Sequence, residues 1–405
     1  MTTPSGFDEV TLRRFADLLV GFGANVQPGQ IVSIGGDIGK EEVVRALAES
    51  AYRHGARFVD VSYFDLHIKH ARLRYAAEDS LDFVPSWYGE RILALGDQRC
   101  ARIALSGPIA PGLLDDIDAA RIGRDQLPFL RESGKVVNDA TTNWTIGPCP
   151  SVPWAALVHP GLSEDAALGR LVGELVHVLR LDEDDPVAAW TARADALVDA
   201  AVRLTDRRFD TLHFEGPGTD LRVGLLPSSR FRAARFRTVD GLVHMPNLPT
   251  EEVFSTPDPA RTEGVVRSTK PLVVGGSIIR GLEVEFRDGR ATRIDADENA
   301  DVLRGYAAKD AGASRLGEVA LVDREGRIGR LGTTFFDTLL DENAASHVAL
   351  GSAYAECLED EADRKRMNES QIHIDFMIGA DDVSVTGVTA TGERVPVLLG
   401  GDWQL

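Results

Sequence analysis

The feature that most constrains this chain is a change of texture near residue 206. Before it, short apolar runs alternate with helical stretches. Ile31 to Gly36 (IVSIGG) is strand-like and ends in glycines, Lys40 to His54 has helical spacing, and Ala56 to Ser62 and Ala101 to Ser106 are buried-type strands. Asn143 to Pro153 begins as a strand, but Pro148, Pro150 and Pro153 predict a loop over most of it. This βαβ rhythm calls for a parallel sheet covered by helices on both faces. Two helices follow, Glu164 to Arg180 and Val187 to Leu204, separated by the polar turn Asp182 to Pro186. From Phe209 onward, strands joined by glycine turns dominate, and Asp288-Gly289 between alternating apolar runs signals a hairpin. Two helices are expected to interrupt them, near Glu298 to Ala311 and from Asn343 to Leu358. The chain therefore reads as an α/β protein in two domains. An N-terminal parallel-sheet domain spans residues 1–205, and a β-rich α+β domain spans 206–405.

Charge and composition exclude several functions. The 405 residues carry a formal charge of −19, and no basic face is visible to neutralise phosphates, so nucleic acid and anionic membrane surfaces are excluded as partners. No uninterrupted apolar run approaches the roughly 18 residues of a membrane span. The N-terminal segment reads as an amphipathic helix, not a secretory signal. Three scattered cysteines, Cys100, Cys149 and Cys357, fit a reducing cytoplasm and provide no thiolate metal site. A glycine-rich stretch, Gly35-Gly36-Asp37-Ile38-Gly39-Lys40, lies where a nucleotide loop would. Its spacing is wrong, and Glu41 stands where a magnesium-binding hydroxyl is needed, so it reads as an ordinary strand-to-helix turn.

The chemistry concentrates in the C-terminal half. In IHIDFMIG, residues two apart in a strand share a face, so His373 and Asp375 point the same way. In DENAASHVALGSAY, His347 and Tyr354 are seven residues apart, which on a helix puts them on one face, with Glu342 at its start. Glu318 opens the apolar strand EVALV, where an inward carboxylate is costly without charged partners. Glu251 and Glu252 follow a proline in NLPTEE. Each segment alone also reads as a polar surface. Together they supply four carboxylates (Glu252, Glu318, Glu342, Asp375) and two imidazoles (His347, His373) in one domain. Four converging carboxylates repel, and two divalent cations cancel their charge. Donors of this mixed nitrogen and oxygen type suit zinc, cobalt or manganese.

These segments resemble the aminopeptidase T/aminopeptidase S family of metallopeptidases. The likeness is carried by NLPTEEVFSTPD (247–258), EGVVRSTKPL (263–272), LGEVALVD (316–323), TLLDENAASHVALGSAY (338–354) and HIDFMIG (373–379), and extended upstream by VPWA, DEDDPVAAW and EGPGTDLRVGL. The resemblance implies a dinuclear aminopeptidase, usually a homodimer. Its metal ligands would be Glu252, Glu318, Glu342, His347, His373 and Asp375, with Tyr354 near the reaction centre. Between Glu251 and Glu252 the motif does not choose.

The expected mechanism is hydrolysis of a peptide's N-terminal residue by a metal-activated water, on short peptides. Tyr354 would stabilise the oxyanion, and Glu251, if not a ligand, would carry the proton. A serine hydrolase is disfavoured, because no GxSxG elbow is present and adjacent Ser346 and His347 diverge on a helix. Another two-metal hydrolase, or a non-catalytic peptide binder, is the remaining alternative.

Overall fold

The computed structural model describes residues 5–125, 127 and 131–405. Its first half is built around a four-stranded parallel sheet, ordered Phe58–Phe64, Ile31–Asp37, Ala101–Ser106, Trp144–Pro148. Each connection passes through helices, as the alternation of apolar runs requires. The last strand runs through Pro148, which pairs with Ser106. A proline is accommodated there because this is an edge strand. The loop expected over most of this stretch is confined to residues 149–151, which include Pro150. Ser151 caps a helix, Val152–Val158, and Pro153 occupies its first turn, where no amide donor is needed.

The glycine-rich turn ends in a buried lysine. Lys40 Nζ bonds Asp37 (2.6 Å) and the carbonyls of Leu105 (3.2 Å) and Ser106 (3.0 Å). That satisfies the ammonium internally and ties the turn to the neighbouring strand. Helices Glu164–Val178 and Pro186–Asp206 complete this half, with Ser163 and Asp185 as N-caps.

The second half holds an eight-stranded antiparallel sheet and a separate four-stranded one. In the larger sheet, Glu283–Arg287 and Arg290–Asp295 form the hairpin at Asp288-Gly289, both turn residues having positive φ (50° and 74°). The smaller sheet is ordered His373–Met377, His347–Gly351, Leu316–Val322, Glu252–Ser255. One apolar core runs through both halves. The halves also join through backbone: Ile146 donates to Pro246 O (2.7 Å) and accepts from Leu248 N (3.0 Å). The segment carrying Asn247 thus extends the edge of the parallel sheet.

One expected element is absent. Residues 343–358 do not form a helix. A short helix, Thr338–Glu342, ends at Asn343, and His347–Gly351 is a strand with neighbours on both sides. His347 and Tyr354 do not share a helical face. The imidazole that Tyr354 meets is instead that of His373.

Candidate metal centre

The pairing register of the smaller sheet explains why these residues converge. Directly opposed residues of antiparallel strands project to the same face. Glu252 is opposite Val322, Ala320 is opposite His347, and Glu318, Ala349 and Asp375 form one row across three strands. Gly351 is opposite His373. One face therefore displays Glu252, Glu318, His347, His373 and Asp375. Ala320, Ala349 and Gly351 lie among them, and their small size leaves room above the sheet. The alternate positions, Val253, Val319, Leu321, Val348, Leu350 and Phe376, enter the apolar core and fix the register energetically.

Two triads of donor atoms result: Glu252 with Glu318 and His347, and Glu318 with His373 and Asp375, each within 4.8 Å. Glu318 belongs to both. His347 Nε2 lies 3.1 Å from Glu252, and His373 Nε2 lies 3.1 Å from Glu318 and 3.5 Å from Asp375. The other nitrogens are spoken for. His347 Nδ1 bonds Ala345 O (3.2 Å) and His373 Nδ1 bonds Ser352 O (2.7 Å). These contacts orient both rings and turn both Nε2 atoms toward the carboxylates, the arrangement of metal-ligating histidines.

Glu342 stands beside the triads on its own helix. Its carboxylate accepts from Asn247 Nδ2 (3.3 Å) and Asn343 Nδ2 (3.4 Å). Tyr354 packs edge-on against the His373 ring, with centroids 5.2 Å apart.

Electrostatics show the strain of so many acids in one buried place. Burial raises Glu318 to about 7, with Asp375 and Glu252 adding repulsion and His373 opposing it. Burial, then Asp375 and Glu252, push Glu342 well above the carboxylate range. Burial works against a charged His347, but the Glu252 hydrogen bond and the surrounding carboxylates outweigh it and raise the ring to about 10. Asp375 is lowered despite its burial, because His373 faces it. Protons on these groups do what divalent cations do better.

The donor set fits such ions. It combines carboxylate and imidazole without thiolate, and among the described residues buried Glu252 Oε2 and Asp375 Oδ1 face no donor other than the two imidazoles.

Glu251 is not brought into the cluster. It is fully buried, and its oxygens take Arg180 (3.0 Å) and Arg193 (2.5 Å). Its amide donates to Asn343 Oδ1 (2.6 Å). Asn343, which sequence reasoning missed, thus ties the Glu251-Glu252 loop to Glu342. Its place directly after Glu342 in the DENAASH segment is the available signal.

Two further features have no motif in the sequence. Asp337 accepts from Ser106 Oγ (3.1 Å) and Gly107 N (2.8 Å), while Trp154 Nε1 donates to Phe335 O (2.6 Å). The N-terminal half thereby grips the loop leading to Glu342. An aromatic cluster also links both halves to the site. Trp144 packs on Phe236 (5.9 Å) and His244 (6.2 Å), and Phe236 packs on Tyr354 (6.1 Å).

Comparison with known proteins agrees with this geometry. The sequence pattern of the family described as thermophilic metalloprotease (M29) matches residues 8–403. Aminopeptidase T of Thermus thermophilus is 42% identical over 97% of this chain and 98% of its own length. Aminopeptidase PepS of Streptococcus thermophilus is 36% identical over 97% of each chain. The solved structure of wild-type AmpT from Thermus thermophilus superposes with a TM-score of 0.87 at 40% identity, covering 98% of this chain and all of that one. With its pattern matched from end to end and relatives of this identity over nearly the full length, the chain belongs to the thermophilic metalloprotease (M29) family.

Proposed function

We propose that this metal-dependent aminopeptidase works with two divalent cations, held by Glu252, Glu318, Glu342, His347, His373 and Asp375. The observation that carries this reading is the membership of Glu318 in both donor triads. One carboxylate shared between two sets of ligands is the arrangement that suits a pair of ions about 3.5–4 Å apart. Zinc, cobalt or manganese match the donor chemistry. Such ions supply Lewis acidity to the scissile carbonyl and make water a nucleophile near neutral pH.

The chain's own groups do the rest. The carboxylates attract the protonated α-amine of a peptide and so select chain ends. Glu342, steadied by Asn247 and Asn343, completes the ligand set from its own helix. The Tyr354 phenol donates a hydrogen bond to the oxyanion as the carbonyl carbon becomes tetrahedral. Burial first, then the negative charge of Glu318 and its neighbours, holds that phenol protonated, its pKa well above the ordinary value. The ion pairs of both Glu251 oxygens support a role in fixing the loop that presents Glu252 over one in carrying the proton.

Short peptides acting as substrates, a homodimer and a cytoplasmic setting complete the reading. The exposed Tyr75, Phe83 and Trp87 of the N-terminal half support a covered face. Three free, buried cysteines support a reducing compartment.

The test is cleavage of leucine-p-nitroanilide by metal-stripped protein as zinc, cobalt or manganese is restored. Activity should return with metal and saturate near two ions per chain. Saturation at one ion would remove the shared role of Glu318.

A further inference from the structure

A cavity of about 300 Å³ lies where the smaller sheet meets the larger one, and none of the six proposed ligands lines it. Its floor is apolar: Val322 from the smaller sheet and Val385 and Leu398 from the larger, all buried. Its walls come from the ends of three strands. Asp323 to Glu325 follow Leu316–Val322, Ala344 to Ser346 precede His347–Gly351, and Gly379 to Asp381 follow His373–Met377. Ser346 holds these walls together. Its carbonyl accepts from Ile378 N and Gly379 N (both 2.8 Å), and its hydroxyl accepts from Val322 N (3.1 Å). Glycine is required at 379, because a Cβ there would lie 2.6 Å from Ser346 N.

Two rim charges of opposite sign are open to a guest. Arg330, exposed on the short helix Arg327–Leu331, pairs among the described residues only with Glu325, a surface ion pair that exchanges at little cost. The exposed Asp381 carboxylate has no hydrogen bond or ion pair with a described residue. The other charges are committed. Asp323 holds Arg193 (3.2 Å) and Trp403 Nε1 (2.6 Å), while Arg324 is held by Asp402 (2.8 Å) and Gly400 O (3.0 Å). A molecule that satisfies Arg330 and Asp381 together carries one carboxylate and one ammonium, joined to an apolar group for the floor. A phosphate or a dicarboxylate would meet three acids, Asp323, Glu325 and Asp381, with two arginines to offset them. A wholly apolar molecule would cover both rim charges and give neither a partner.

We propose that this cavity binds a free α-amino acid with an aliphatic side chain. Its carboxylate lies on Arg330, its ammonium on Asp381, and its side chain on Val322, Val385 and Leu398. Free amino acids are what an aminopeptidase releases, so the reaction itself supplies the guest. The volume, at the bottom of the range for small-molecule sites, suits one amino acid better than a peptide. Occupancy reaches the metal centre through the walls. Ala344 to Ser346 join Glu342 to His347, and Ala345 O orients the His347 ring through Nδ1 (3.2 Å). Asp323 holds Arg193, which holds Glu251 beside Glu252. A bound amino acid fixes these stretches in the arrangement that turns His347 Nε2 toward Glu252, and so tightens the cation held there. The cation tightens the amino acid by the same factor. This coupling rests on the ligand set proposed above, whereas the binding does not.

The experiment titrates leucine by calorimetry into the full chain, zinc-loaded and metal-stripped. Both forms should bind it. N-acetylleucine and leucinamide, which lack the ammonium and the carboxylate, should bind the metal-stripped form at least about tenfold more weakly. Arg330→Ala and Asp381→Ala should each weaken leucine about tenfold, and Val385→Phe should abolish its binding by filling the floor. The two surface variants keep the test sound if Val385→Phe folds poorly. Zinc affinity measured in saturating leucine should be about three- to tenfold higher for wild type than for Asp381→Ala, and equal for the two without leucine. That comparison cancels chelation of zinc by free leucine. Leucine that ignores the metal-stripped form, or binds all three variants as tightly as wild type, would overturn the site. N-acetylleucine or leucinamide binding as tightly as leucine would overturn the zwitterionic guest. Leucine binding with no change in zinc affinity would overturn the coupling alone.

Discussion

Glu251 and Glu252 are adjacent in the chain and face opposite ways. Glu252 Oε2 lies 3.1 Å from His347 Nε2 inside the acidic cluster, whereas Glu251 is locked between Arg180 and Arg193. Strand alternation produces this division, and it separates the carboxylate proposed to bind metal from one held in ion pairs.

The two should respond differently to the same substitution. Glu251→Gln leaves part-buried Arg180 without its anion and Arg193 with Asp323 alone, and should lower unfolding stability by about 2–3 kcal/mol. Glu252→Gln should fold with far smaller loss but bind metal weakly. Urea denaturation of the metal-free variants, set beside their metal content after loading, distinguishes the two roles. Equal losses of stability would refute the division.

Glu318 should be the least replaceable ligand. Glu318→Gln is expected to weaken both cation sites, whereas His347→Ala and His373→Ala should each weaken one. Titration calorimetry with zinc reads this as the loss of two binding events against one. A Glu318→Gln protein that still binds one ion at full affinity would show that the carboxylate is not shared.

Tyr354→Phe removes a phenol without disturbing the ring contacts with His373 and Phe236. Turnover should fall by about 10²–10³-fold, the usual cost of one oxyanion donor, with metal content unchanged. Single-turnover kinetics on the fully loaded variant would reveal it, and wild-type kinetics would exclude Tyr354 from the chemistry.

His244 predicts an acid sensitivity. Burial lowers its folded pKa to about 4, against an ordinary 6.5, so the unfolded chain takes up a proton first as pH falls. The native state therefore loses stability between about pH 6.5 and 4, and this loss is complete below 4. The full effect is about 3 kcal/mol, from 1.36 kcal/mol for each pKa unit. Metal-stripped His244→Phe should lose less stability than wild type between pH 7 and 4.5, measured as the urea midpoint. Parallel losses would place the acid sensitivity elsewhere.

Much of this architecture was legible in the sequence, for identifiable reasons. The parallel sheet announces itself through glycine-terminated apolar runs, and the hairpin through Asp288-Gly289. His373 and Asp375 are readable because their strand alternates. His347 misleads, because Asp341 to Ala345 is rich in helix formers and HVALG lacks alternation. That strand is covered on both faces and paired on both edges, so its apolar pattern carries no period. The shared face of the site depends on the register of four strands drawn from residues 252 to 377, which spacing cannot reveal. Trp144, Phe236 and His244 are brought together only by the meeting of the two halves, and no local motif precedes such contacts.

The grip of Ser106, Gly107 and Trp154 on the loop from Phe335 to Asp337 makes the N-terminal half a jig for the active site. A chain beginning at residue 206 would retain all six proposed metal ligands and lose the clamp on the loop that leads to Glu342. Its loop would sample many positions, and each cation would have to order it afresh on binding. The first 205 residues, which hold none of the proposed ligands, would then be measurable as metal affinity.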